Sequence, residues 1–357
     1  MKLRILVIGP SIKLTHGGMT SVIRGLVDDE NLKNRFDITS YGSCIDGNIL
    51  IRFLYSIIAY IVFLTKINNY DLFHVNVASK GSSFRKALYV RAIKKHGKKV
   101  VLHVHGGAYL KFYDGLRGNK KNIIDRLWKQ SDLIVVLSDE WKSNFLRRFP
   151  YARIEVIENG IDTEIYKKAV KDLTINKYNI AYLGRIEKEK GVYELIDAFE
   201  SIVKSGCKSH LYIAGTGSLR QLQEYVENKN GIGNKVTFCG WIDEQKKIEL
   251  LKKCSIVVLP SYNEALPLCV LEGMASGKAI IATSVGAIPS LITSDHNGLL
   301  ISPGSAEQLA SAFQNVFDMI EKKTITGREN IKVVEEKYSW HRMHALFENV
   351  YERVGEK

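Results

Sequence analysis

Two cations and two carboxylates in the second half of the chain have the types and spacing to grip a phosphorylated sugar. The run Tyr182-Leu-Gly-Arg-Ile-Glu-Lys-Glu-Lys-Gly191 reads as a strand that ends at Gly184 and delivers Arg185 and Lys190 into one loop. An arginine fork and a lysine point charge, flanked by glycines that permit close approach, suit the oxygens of a diphosphate. Further on, Glu264 and Glu272 stand with seven residues between them. A helix is expected to begin near Pro267, because proline is favoured at a first helical position. Glu264 then precedes the helix and Glu272 sits on its second turn. The first N–H groups of that helix, those of Ala265, Leu266 and Leu268 around Pro267, offer a phosphate site. Glu264 is placed to hold a sugar hydroxyl and Glu272 a ribose diol.

Weaker signals surround this set. Leu211-Tyr-Ile-Ala-Gly-Thr-Gly217 is a strand followed by a glycine turn, with Gly215 and Gly217 as donor-binding candidates; many strand–helix junctions need glycine for purely local reasons. Gly17 and Gly18 follow the first strand and open a helix, so their N–H groups can approach a phosphate or an acceptor hydroxyl. His103 and His105 share one face of a strand by period-two spacing. A metal reading of that pair lacks a third ligand, and His103, one step deeper, reads as core or support. Trp241, after the strand ending Phe238-Cys-Gly240, can flank a nucleobase or pack in the core.

The elements that must position these residues alternate short β-branched runs with longer amphipathic stretches, the pattern of an α/β protein with parallel sheets covered by helices. Strands are expected at 4–9, 72–76, 99–105, 133–137 and 154–157. A second series runs at 179–183, 209–214, 236–239, 256–259, 279–283 and 298–301. The Lys-rich stretch 166–177 separates the series as a linker. The expected domains are 1–165 and 178–335, with 336–357 a helix crossing back to the first.

Length agrees: 357 residues suit two domains of roughly 150 to 190 residues. With 45% hydrophobic and 25% charged residues, disordered and fibrous classes are excluded. The net charge of +13 is confined to one half: residues 1–170 hold 28 Lys+Arg against 15 Asp+Glu, and 171–357 hold 23 of each. A basic half beside a neutral one points to a polyanionic surface, with anionic lipid ahead of nucleic acid, for which no binding motif is present. The alternative is a solvated surface. Arg52 interrupts stretch 49–64 (ILIRFLYSIIAYIVFL), and its clean part, 53–64, falls well short of the ~20 residues a spanning helix requires. It reads first as a buried or partly buried helix, then as one lying on a membrane. Five cysteines without metal spacing fit reduced thiols in the cytoplasm. The apolar run at 5–8 is too short for a signal-peptide core of ~7–15 residues.

Together these motifs resemble the retaining glycosyltransferases of GT-B architecture, family 4-like, whose signature is a glutamate pair with seven residues between. Glu264 and Glu272 match that pair. Gly184, Arg185, Lys190 and Gly191 match a G-R-x-x-x-x-K-G segment, and Asn159-Gly-Ile-Asp162 an interdomain segment. The chain departs where Ala265-Leu266-Pro267 replaces phenylalanine-glycine after the first glutamate. The resemblance implies two Rossmann-like domains facing across a cleft, a UDP- or GDP-sugar donor and retention of anomeric configuration. It also implies His105 at the transferred sugar and no obligatory metal. No Asp-x-Asp stands at a strand end to hold Mg²⁺ against a diphosphate, so Arg185 and Lys190 would take its place. Asp114, Asp139 and Glu140 are reserve acceptor contacts. A glycan or lipid-linked acceptor is implied, with the protein cytoplasmic or peripheral on the inner face of the plasma membrane. The alternatives are a non-catalytic partner subunit of the same shape and an epimerase or phosphorylase on the same architecture.

Overall fold

A computed structural model describes residues 2–294 and 296–356. Unit 1 comprises Met1–Gly160 and Trp340–Lys357, and unit 2 Ile161–Ser339.

Unit 1 holds six strands: β1 (Arg4–Pro10), β2 (Asp37–Cys44), β3 (Leu72–Val77), β4 (Lys99–Val104), β5 (Leu133–Val136) and β6 (Ile154–Val156). All pair in parallel, in the order β2-β1-β3-β4-β5-β6. Helices cover both faces, so the central strands are buried along their length, as in β3, where His74 and Asn76 stand among apolar residues. Strand β2 was not expected. Its sequence DITSYGSC has no β-branched run, because it lies at the sheet edge and is only partly buried. The helix Trp340–Gly355 belongs to this unit. Its Phe347 and Tyr351 rings pack on His74, and His344 Nδ1 lies 2.9 Å from Asp29.

Helix Ile49–Lys66 is partly buried. Only Ala59 and Phe63 are buried, held against β2 by a hydrogen bond from the Tyr41 hydroxyl to the Ala59 carbonyl. The rest of its apolar surface faces outward.

Unit 2 repeats the plan with β7 (Asn179–Leu183), β8 (His210–Ala214), β9 (Val236–Gly240), β10 (Ile256–Leu259), β11 (Ala279–Thr283) and β12 (Gly298–Ile301). Their parallel order is β12-β11-β10-β7-β8-β9. The stretch expected to link the domains lies inside this unit. Tyr166, Ala169 and Leu173 are buried, and Lys278 Nζ donates to the Ala169 carbonyl at 3.0 Å. Its lysines point outward and hide these three anchors from a compositional reading. The division falls at 160/161, not in the 166–177 stretch.

The charge follows this division. Unit 1 holds 29 Lys+Arg and 16 Asp+Glu, and unit 2 holds 22 of each.

Candidate functional site

Strand order in unit 2 reverses between β7 and β10, and in open α/β sheets ligands settle beyond the carboxyl ends of the strands at such a switch point. The loop after β7 carries Arg185 and Lys190; the loop after β10 carries Glu264. Backbone contacts lock the two together, with the Tyr262 N–H donating to the Glu189 carbonyl at 2.9 Å. Lys190 Nζ meets Glu264 Oε1 at 2.6 Å, with both side chains mostly shielded from water.

The neighbouring turns act as a cradle. Gly215 has φ +156°, and a Cβ there would sit 1.7 Å from the Gly184 carbonyl oxygen. Gly184 and Ile186 donate to the Ala214 and Thr216 carbonyls, and Ile186 bridges Gly217. Gly215 and Gly217 are therefore fixed by contact with the Arg185 loop, whatever ligand that loop meets. Gly286, φ +56°, does the same for the acid: its Cβ would fall 2.1 Å from the Glu264 carbonyl oxygen. The Ala287 N–H donates to the Ala265 carbonyl at 2.8 Å. The sequence reading missed this clasp after β11.

Helix Leu268–Ala275 begins directly after Pro267, which occupies the cap position. Ala265, Leu266 and Pro267 are buried, while Leu268 is half-exposed. Glu272, on the second turn, is almost wholly buried and meets Lys247 Nζ at 2.6 Å. Lys247 also donates to the Tyr166 hydroxyl at 3.1 Å, and that hydroxyl lies 3.5 Å from Glu244. Burial raises the Tyr166 pKa, and the Glu272 and Glu244 carboxylates add to the rise. Its hydroxyl stays protonated. Lys247 and Tyr166 belong to no spacing pattern and meet Glu272 only through the fold.

Cys269 lies between the two pairs. Desolvation pushes its thiol up to about 12, reinforced by Glu264 and Glu272 and opposed by Lys190 and Lys247. Both carboxylates and both lysines therefore act on one point at the helix start. Arg185 stands apart from them. Its side chain is largely exposed and pairs with Glu187 at 3.2 Å, while the Tyr182 hydroxyl fixes its carbonyl at 2.6 Å.

Trp241 is half-exposed beyond edge strand β9, which removes the core-packing alternative. Its turn touches the cradle where the Gly215 N–H donates to the Gly240 carbonyl at 2.8 Å.

The remaining candidates lie in unit 1. Gly17 caps the helix Gly18–Asp28 at φ 148°, and open space surrounds the position of a Cβ there. His105 follows β4, with Nε2 2.7 Å from the Asn76 amide oxygen. The amide oxygen only accepts, so Nε2 carries the proton. His103 is fully buried, its ring centroid 3.9 Å from that of His105. Its Nδ1 lies 3.2 Å from His74 Nε2, and His74 Nδ1 is 2.7 Å from the Tyr351 hydroxyl. Burial lowers the pKa of His74 and His105 to about 3, so the row is neutral. Among the described residues no group of His, Cys, Asp and Glu is arranged to hold a metal ion.

A family model described as Glycosyl transferases group 1 matches residues 177–319, and one described as Glycosyltransferase Family 4 matches residues 34–165. An uncharacterized glycosyltransferase of Methanocaldococcus jannaschii is 25% identical over 281 residues, covering 74% of this chain and 71% of its own. Among solved structures, sucrose-phosphate synthase from Thermosynechococcus elongatus aligns with a TM-score of 0.79 at 18% identity, covering 99% of both chains. Anabaena HepE in complex with UDP-glucose aligns with a TM-score of 0.74 at 16% identity, over 98% of this chain and 100% of that one. At these identities the two structures speak to fold alone.

Proposed function

Because the chain belongs to the glycosyltransferases of GT-B architecture, family 4-like, we propose that its unit 2 binds a nucleotide-diphosphate sugar for retaining, metal-independent transfer. UDP is the first choice of nucleotide and GDP the alternative. The acceptor is a glycan or lipid-linked molecule of bacterial surface-polysaccharide or glycolipid assembly. The observation that carries the reading is the Lys190–Glu264 pair at the switch point of the second sheet.

Lys190 and Arg185 stabilise the negative charge that builds on the leaving diphosphate, a contribution that grows toward the transition state. Glu264 holds sugar hydroxyls. Glu272, oriented by Lys247, accepts from the ribose diol. His105, neutral and oriented by Asn76, meets the transferred sugar as a hydrogen-bonding group. The leaving phosphate takes the acceptor proton on the same face of the sugar, which preserves the anomeric configuration. The solved HepE complex with UDP-glucose supports a nucleotide-sugar ligand by analogy. The charge of unit 1 supports a cytoplasmic protein that docks peripherally on an anionic membrane surface.

Calorimetry with UDP and GDP, and donor-hydrolysis assays across a panel of UDP- and GDP-sugars, test this with EDTA present. UDP binding and donor turnover are expected. Silence in both assays across the panel overturns the reading, and an inverted anomer in the product overturns retention.

A further inference from the structure

Helix Ile49–Lys66 turns its polar side inward. Tyr55, Ser56 and Tyr60 are half-buried toward the domain beside Ala59 and Phe63, whereas ten of its eighteen residues are large apolar side chains more than a third exposed. At 100° per residue, Leu50, Phe53, Leu54, Ile58, Ile61 and Leu64 fall within one half of the circumference. Water is a poor neighbour for so continuous an apolar face. The stretch Ile49–Asn69 is long and apolar enough to cross a bilayer, yet its inner side is fixed on β2 by Ala59 and Phe63. It lies along the surface of unit 1.

Charge indicates what covers it. Residues 47–113 contain eleven Lys+Arg and one acidic residue, Asp71, and Asp71 is already paired with Arg4 and Lys98. Arg52 and Lys66 are exposed on the helix itself, and Arg91 and Lys95 on the adjacent helix Gly81–Lys95. That neighbour adds the half-exposed Leu88, whose carbonyl accepts from Tyr60 at 3.4 Å. An apolar band bordered by cations with long, flexible stems matches the boundary of an anionic bilayer, where the stems reach up to the headgroups.

We propose that helix Ile49–Lys66 lies in the plane of an anionic lipid bilayer with its outer face among the acyl chains, making unit 1 a membrane-inserted platform. This rests on the membrane reading above for its charge and adds apolar insertion to it.

The full chain is tested by flotation with vesicles of equimolar phosphatidylcholine and phosphatidylglycerol, at low salt and at ~1 M, where charges are screened beyond ~3 Å. The wild type is expected to float at both. Ile58→Glu/Ile61→Glu, at exposed positions, is expected to float at least about tenfold less at high salt, with unchanged circular dichroism. Equal flotation of variant and wild type overturns insertion and leaves charge-driven docking standing; a wild type that floats at neither salt overturns both. Self-association broken by the double variant, with no vesicle binding, gives the face to a second copy and also overturns the proposal. Phe53→Trp supplies an independent readout: its emission is expected to shift to the blue and to be quenched by brominated lipid. An unshifted, unquenched emission rules insertion out.

Discussion

The two parallel sheets share a six-strand plan and a reversal of strand order, but they equip their carboxyl ends differently. In unit 2 that end is ionic and balanced, with Lys190 on Glu264 and Lys247 on Glu272. In unit 1 the corresponding chemistry is a row of neutral imidazoles, with His74 and His103 fully buried and His105 partly exposed after β4. A balanced ionic site can re-partner around a dianionic ligand without leaving a charge unpaired. A neutral imidazole row can offer hydrogen bonds to uncharged hydroxyls without competing for that dianion. The contrast teaches that one plan of strands can carry an ionic set in one unit and an uncharged one in the other.

The contrast can be broken most sharply at Lys190. Lys190→Ala should lower transfer by about 100- to 1,000-fold through lost stabilisation of the leaving group, measured as nucleotide release. A loss below tenfold would remove unit 2 from the chemistry. Next comes the structural pair. Lys247→Ala leaves the buried Glu272 without its cation and should cost about 3 kcal/mol in urea unfolding. The double variant Lys247→Ala/Glu272→Gln should recover most of it, because the stranded charge is gone.

Acid should strike the other sheet. His74 and His105 titrate at about 3 when folded, against an ordinary 6.5. Between those values the unfolded chain binds more protons, so stability present above pH 6.5 is lost as pH falls toward 3. At pH 5 the loss is about 2 kcal/mol for each histidine, to be read as faster amide exchange in β3 and β4. A flat profile there would show that the row is already charged or open to water. The smallest effect belongs to Arg185, exposed and paired only locally. Arg185→Ala should lower kcat about tenfold with a smaller change in the donor KM, checked by steady-state kinetics.

Much of this fold was written in periodicity. All six strands of unit 2 and five of unit 1 stand out as short apolar runs; β2 does not, because an edge strand needs little apolar content. Arg185, Lys190, Glu264 and Glu272 were legible because each pair sits within one local segment. Lys247 and Tyr166 were not: they lie 25 and 106 positions from Glu272, and only tertiary packing brings them to it. Helix Ile49–Lys66 left its two readings open for a related reason. An apolar stretch has one composition whether its cover is protein or lipid, and only the structure shows which side it turns to the sheet.

Unit 1 takes its final helix from beyond the whole of unit 2. On the ribosome, the first 160 residues therefore emerge with His74 still waiting for a hydroxyl 277 positions downstream. Unit 2 is contiguous and can close as soon as it leaves the tunnel, while unit 1 stays incomplete until helix Trp340–Gly355 arrives. Through that interval the nascent chain carries an unfinished apolar surface, and a nearby bilayer or a chaperone would meet it before the mature protein exists.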